Sequence, residues 1–171
     1  VFVPINGFTT GVQPIISYNF GAGSFDRVKM TIRRMISVTF LAAFLYVVFA
    51  MLRPGVFARL FTTDEELIAL VKKVLPVYLC GMSVFGIQSG IQSSFLGLGQ
   101  AKISLCIALL RKVFLLIPMA LILPHFFGVM GVYYAEPVAD LISVAIASAL
   151  FLLNIRKILS KEMLEKVTHT A

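Results

Sequence analysis

The chain has no tryptophan, two cysteines, two histidines and only eight acidic residues among 171. Each shortage excludes something. Cys80 and Cys106 both fall in apolar runs, where they read as packing residues and not as a disulfide or metal pair. His125 and His169 lie in a hairpin and a tail, with no second ligand at metal spacing, so no metal site is expected. No nucleophile–base pair and no phosphate-binding loop is present, which leaves an enzyme without support. Charge of either sign is scarce, 13% of residues, and none occurs before Asp26. The first residue is Val, without the charged flank of a natural start or the build of a signal peptide. The chain is therefore expected to be a fragment that begins inside a spanning helix.

Apolar surface is what the chain does have: 59% hydrophobic residues and a mean hydropathy of +0.96. Several runs approach the ~20 residues that cross a hydrocarbon core of ~30 Å. These features predict an all-α, polytopic membrane helix bundle with five transmembrane helices. The spans are placed at about 1–22, 35–52, 66–96, 103–123 and 132–155. Residues 1–157 form one transmembrane lobe, and 158–171 an amphipathic tail lying along the membrane surface. The net charge of +7 does not indicate nucleic acid, because the basic residues sit in short blocks between apolar runs, as topology signals do.

In the first span, Gly7 and Gly11 are four residues apart, which permits close helix contact. Pro14 should kink the helix, and Gly21 and Gly23 should end it. Gln13, Ser17, Tyr18 and Asn19 are polar for a span. They either bond to neighbouring helices or line a cavity. Ser24 fits an N-cap for the next helix. The second span, Met35 to Leu52, is apolar all round and is expected to face lipid.

Pro54-Gly55 marks a turn, and Val56 to Phe61 suits a short interfacial helix. Thr63 with Glu66 fits a capping box, starting a helix near Asp64. That helix can run to Leu96, ~50 Å, which exceeds a bilayer, and Pro76 should bend it. Its membrane part is the most polar of the five. Gln88 and Gln92, and Ser89 and Ser93, recur at helical spacing on adjoining strips of one face. They act either as glue between helices or as a polar wall. Gly7-x-x-x-Gly11-x-Gln13 recurs here as Gly86-x-x-x-Gly90-x-Gln92, an internal echo of the kind duplicated transporter units leave.

The fourth span needs Ile103 to Leu123, which puts Arg111 and Lys112 within the helix. Either both side chains snorkel to the near interface, or Arg111 turns inward to a carboxylate or cavity. In the fifth, only 15 uncharged residues separate Asp140 from Arg156, about 22 Å of helix. The helix must therefore start near Gly131, with Glu136 and Asp140 below the membrane surface. An acid at mid-span costs ~2.5–3.5 kcal/mol on insertion scales, and such residues often mark an ion or substrate path. The two acids share one helix face, beside a small-residue stripe of Ala135, Ala139, Ser143 and Ala147 suited to helix contact. Asp140 is expected to be buried and partnered. Glu136 is either buried with it or interfacial.

Of the fifteen Lys and Arg residues, eleven flank one side: Arg27, Lys29, Arg33, Arg34, Lys102, Arg111, Lys112, Arg156, Lys157, Lys161 and Lys166. Arg53, Arg59, Lys72 and Lys73 flank the other. The positive-inside rule makes the first side, and with it the C-terminus, cytoplasmic.

The stretch GVQPIISYNFGAG running into a basic loop resembles the eighth helix of the multidrug and toxic compound extrusion (MATE) family. The Gly-Leu-Gly-Gln-Ala loop, Arg111, Pro118, the Leu-Pro-His-Phe-Phe-Gly hairpin and Ala-Glu-Pro-x-Ala-Asp resemble its last two helices. The resemblance covers nearly all of residues 1–157 and implies helices eight to twelve of twelve, most of the second six-helix lobe. It further implies a multi-pass plasma-membrane antiporter that exports organic, often cationic, drug-like compounds in exchange for protons or sodium. No other cofactor is implied. The partners would be membrane lipid and the missing N-terminal lobe of the same chain. Candidates for the substrate or ion path are Asp140, Glu136, Gln88, Gln92, Ser93, Gln13, Tyr18 and Arg111. The third span offers amides and hydroxyls but no carboxylate, which suits a polar wall better than a hard-cation cage. A lipid or polysaccharide flippase of the same superfamily would want a more basic cavity, for which only Arg111 and Lys112 are available. The remaining alternative is a helical scaffold that transports nothing.

Overall fold

The computed structural model describes residues 2–59 and 62–170. All its regular elements are helical: α1 (Phe2–Gly21), α2 (Phe25–Leu52), α3 (Pro54–Arg59), α4 (Glu65–Met82), α5 (Phe85–Gly97), α6 (Ala101–Leu109), a π-helical segment (Leu110–Leu116), α7 (Ile117–Phe127) and α8 (Val129–Thr170). Four stretches are long and apolar enough to cross a membrane: Phe25–Leu52, Glu65–Gly97, Ala101–Phe127 and Val129–Ser160. α1 is the fifth member of the bundle, packed on α2 and α5. It is long enough at 20 residues, but Asn6, Gln13, Ser17 and Asn19 make α1, and not the third span as expected, the most polar of the five. Val1, the Phe61 end of the short interfacial helix and Ala171 lie outside the described residues, as do the side chains of 161–170.

α5 is the centre of the bundle. It touches α1, α2, α4, α6 and α8, and most of its residues are buried although eight of the thirteen are Gly, Ser or Gln. Small residues explain this. A methyl group at Gly86 would overlap the Thr39 carbonyl of α2, and one at Gly90 would lie 2.8 Å from Ile36 Cγ1. At the far end of α5, a methyl at Gly97 would lie 2.9 Å from Ile16 of α1. Close backbone approach lets polar groups bond across the helices. The Thr39 hydroxyl lies 2.8 Å from the Gly86 carbonyl, and Ser17 Oγ donates to the Gly97 carbonyl at 2.8 Å. Apolar layers lie at either end. Ile16, Val28, Ile32, Met35, Leu98 and Leu159 form one, and Val47, Ala50, Leu79 and Met82 the other.

Several local expectations change. α2 is not lipid-facing all round. Val28, Ile32, Met35, Thr39, Ala43, Val47 and Ala50 form a buried stripe at helical spacing, while Phe44 and Phe49 stay exposed. Ser24 holds the N-cap position of α2 without a side-chain cap bond. The cap of α4 is Asp64, not a Thr63–Glu66 box: Asp64 Oδ1 accepts from the Glu66 amide at 2.9 Å and from the Leu67 amide at 3.5 Å. A carboxylate there also complements the helix dipole. The long third span does not merely bend at Pro76. It breaks at Ser83–Val84, where Ser83 Oγ donates to the Cys80 carbonyl at 2.7 Å. Cys80 and Cys106 are exposed rather than packed. Gly7 and Gly11 meet no described neighbour.

α7 and α8 form a tight hairpin. Gly128, at φ +59°, makes the turn, a left-handed conformation that glycine adopts without a Cβ penalty. A methyl at Gly131 would overlap the Leu123 carbonyl and the Pro124 nitrogen, so the two arms touch backbone to backbone just past the turn. α8 then continues unbroken through the expected fifth span and on to Thr170.

Candidate functional site

The site forms where three helical irregularities meet. The first is the α4–α5 break. The second is the π-helical segment Leu110–Leu116, an i→i+5 pattern that commonly marks functional positions. The third is Pro137, inside α8, which lacks the N–H that would bond the carbonyl four residues earlier. Gly81 brings α4 onto α8 at this level. A methyl on Gly81 would stand 2.5 Å from Pro137 Cα and 3.3 Å from Asp140 Cβ.

Arg111 leaves the π-helical segment pointing inward. Its Nε donates to Asp140 Oδ1 at 2.6 Å, and its Nη2 lies 3.9 Å from Glu136 Oε1. Arg111 is 7% exposed and Asp140 2%. The guanidinium carbon also sits 5.3 Å from the centre of the Phe85 ring, a cation–π distance. Tyr78 of α4 lies close enough to Glu136 for their side chains to interact. Of the two adjacent bases, Arg111 is buried and pairs inward, while Lys112 is exposed. Glu136 is half-buried and joins the pair through Arg111.

The cluster is not fully satisfied. Among the described residues, Asp140 Oδ2, Arg111 Nη2, Gln88 Oε1 and Ser143 Oγ are buried without a hydrogen-bond partner. An unmet buried polar group costs ~1–3 kcal/mol. A buried ion pair contributes to stability only when its geometry is excellent and the remaining lone pairs and protons are met. This cluster misses the second condition, so stability alone does not account for it.

Beside the cluster lies an open cavity of about 470 Å³, lined by Asn6, Phe85, Gln88, Ser89, Gln92, Ala108, Arg111 and Lys112. Six of these eight residues carry an amide, a hydroxyl or a base, although carbon makes up most of the exposed wall. The carboxylates stand behind Arg111 and do not line it. Ser89 Oγ donates to Asn6 Oδ1 at 3.2 Å, and Gln92 Nε2 to the Ser104 carbonyl at 3.4 Å. Of the expected path residues, the structure brings together Asp140, Glu136, Arg111, Gln88 and Gln92. Ser93 is buried but does not line the cavity. Gln13 lies on α1 outside it, with its carbonyl against Gly97. Tyr18 is 77% exposed and joins neither cluster nor cavity. Sequence reasoning misses Tyr78, Phe85 and Asn6. A signal exists for Tyr78 and Asn6, since a hydroxyl or amide inside an apolar run needs a partner. Phe85 gives none.

Residues 1–122 match the MatE family. The chain is 26% identical over 145 residues to the FAD transporter of Shewanella oneidensis, covering 83% of this chain and 31% of that protein. It is 28% identical over 142 residues to the multidrug export protein MepA of Staphylococcus aureus, covering 80% and 30%. The solved structure of the MATE multidrug transporter DinF-BH, a complex with a bound compound, superimposes with a TM-score of 0.84 at 32% identity, covering 91% of this chain and 35% of that one. The chain thus spans about a third of the length of these relatives. With 122 of its 171 residues matched and the bundle superimposing on a solved member, the chain belongs to the MatE family of multi-pass membrane proteins.

Proposed function

We propose that this chain is most of the second lobe of a secondary active antiporter that exports organic, often cationic, drug-like compounds in exchange for protons or sodium. It works together with the missing first lobe, in the plasma membrane, with its C-terminus cytoplasmic. The observation that carries the proposal is the Arg111–Asp140–Glu136 cluster, enclosed between helices at the wall of a cavity. Ionisable residues within membrane helices are costly and serve ion or substrate paths. A cluster with unmet groups beside a cavity can exist in more than one bonding arrangement. A proton, cation or substrate that favours one arrangement shifts the population between states. The multidrug and FAD transporters among the relatives support transport of small organic compounds.

A second reading is a lipid or polysaccharide flippase. It is favoured by Arg111 and Lys112 both lining the cavity while the carboxylates do not. The test is dye transport by the full-length parent in vesicles, under an imposed proton gradient and then a sodium gradient. One of the two gradients is expected to drive uptake. Asp140→Asn is expected to lower the rate about ten-fold or more at normal expression. Undiminished dye transport by the variant would leave only a structural role for the cluster. Movement of fluorescent lipid but not of dye would favour the flippase.

A further inference from the structure

A second place on the molecule has the chemistry of a binding site, at the opposite end of the bundle from the α4–α5 break. Two adjoining cavities lie between the start of α2 and the later part of α8, about 380 and 280 Å³ in volume, and both include Lys29 and Ile155. Their floor is apolar, formed by Ile32, Phe151 and Ile155 with Leu159. Their rim is basic, formed by Lys29 and Arg33 from α2 and Arg156 from α8. All three bases are exposed. Among the described residues an acid, Asp26, pairs with the rim at Lys29, 3.7 Å away in a solvent-exposed pair. Among the described residues Arg33 and Arg156 join no ion pair, and each can turn over the groove.

The level of the groove matters as much as its charge. Arg156 closes the apolar run of α8, and Lys29 and Arg33 stand just before the apolar run of α2. The rim therefore sits at the water–hydrocarbon boundary, while the floor continues into the hydrocarbon. The positive-inside rule puts this boundary on the cytoplasmic face, where anionic lipids attract basic residues. A soluble anion would use the rim and leave the apolar floor bare. An acidic peptide would have to bury backbone polar groups against Phe151 and Ile155, at a desolvation cost. An anionic phospholipid satisfies both parts, with its phosphate on the arginines and an acyl chain in the groove.

We infer that the α2–α8 groove binds one anionic phospholipid of the cytoplasmic leaflet, its headgroup held by Arg33 and Arg156 and its acyl chain on Ile32, Phe151 and Ile155. The site is separate from the Arg111 cavity and does not depend on which compound is transported.

The test uses the purified full-length parent, delipidated and titrated with phosphatidylglycerol or phosphatidylcholine of the same chain length, with bound lipid counted by native mass spectrometry. Phosphatidylglycerol is expected to bind in preference. Arg33→Gln with Arg156→Gln should weaken it about thirty-fold, two basic contacts at a lipid surface, with phosphatidylcholine unchanged. Arg33→Lys with Arg156→Lys should retain most of the preference. Soluble glycerol phosphate should not displace the lipid. Equal binding of the two lipids by the wild type would overturn the inference without any variant. So would an undiminished preference in the glutamine variant, or displacement of the lipid by glycerol phosphate.

Discussion

α1 and α5 carry the same Gly-x-x-x-Gly-x-Gln pattern and meet opposite fates. On α5, Gly86 and Gly90 lie against α2 so closely that a single methyl would collide with it. On α1, Gly7 and Gly11 have open space beside them among the described residues. The amides diverge as well. Gln92 lines the cavity, while Gln13 lies outside it. The pattern therefore states that a helix is able to pack closely, not that it does so here. Whether it does depends on the neighbour, and α5 has helices on all sides while α1 has them on one.

The largest expected effect is on the α5 side, at the charged cluster that α5 helps to enclose. Arg111→Met should destabilise the chain in detergent by ~3–5 kcal/mol, because it leaves a buried Asp140 unpaired. Adding Asp140→Leu should recover most of that loss, since an apolar pair of similar volume is often neutral or better. A denaturant titration checks both. A single variant as stable as the wild type would place Asp140 in contact with water and remove the contrast with α1.

Next is Gly86→Ala. The added methyl must push α5 away from α2, an overpacking cost of ~1–3 kcal/mol, and the Thr39–Gly86 hydrogen bond should be lost with it. The smallest effect belongs to Gly7→Ala, which should be neutral or slightly stabilising, by up to ~1 kcal/mol, because alanine restricts the unfolded helix more than glycine does. Thermal unfolding of the two alanine variants side by side measures the difference between the repeats. Equal losses would mean that α1 is as tightly covered as α5.

Much of the fold was legible because hydrocarbon demands it. Apolar length marks four of the helical spans, but α1 is too polar for that test, and Arg27, Lys29, Arg33 and Arg34 lie within α2 and not in a connection. The place of Asp140 and Glu136 among packed helices, one buried and the other half-buried, was legible from a shortage, 15 uncharged residues where about 20 are needed. Their partner was only half legible. Arg111 and Lys112 are adjacent and chemically alike, and a helix sends adjacent residues to different faces. Which one turns inward is decided by the phase of the π-helical segment, a tertiary property. The break at Ser83–Val84 was hidden for a similar reason. Pro76 is the evident helix disruptor in that span, yet the chain divides where Gly81 packs on Pro137 and Ser83 takes up a freed carbonyl. Tyr18 drew notice through its polarity, but polarity at a helix end is equally well met by solvent.

The turn at Gly128 has a mechanical consequence. Arg111 travels on one arm of the hairpin and its two acids on the other, and the arms are locked backbone to backbone at Gly131. A swing of the whole hairpin would carry all three charges together and leave their separations untouched. They are therefore badly placed to serve as a latch between this piece and its surroundings. Whatever loosens them has to arrive from outside, as a proton or solute entering between the arms, and the hairpin would then register chemistry rather than movement.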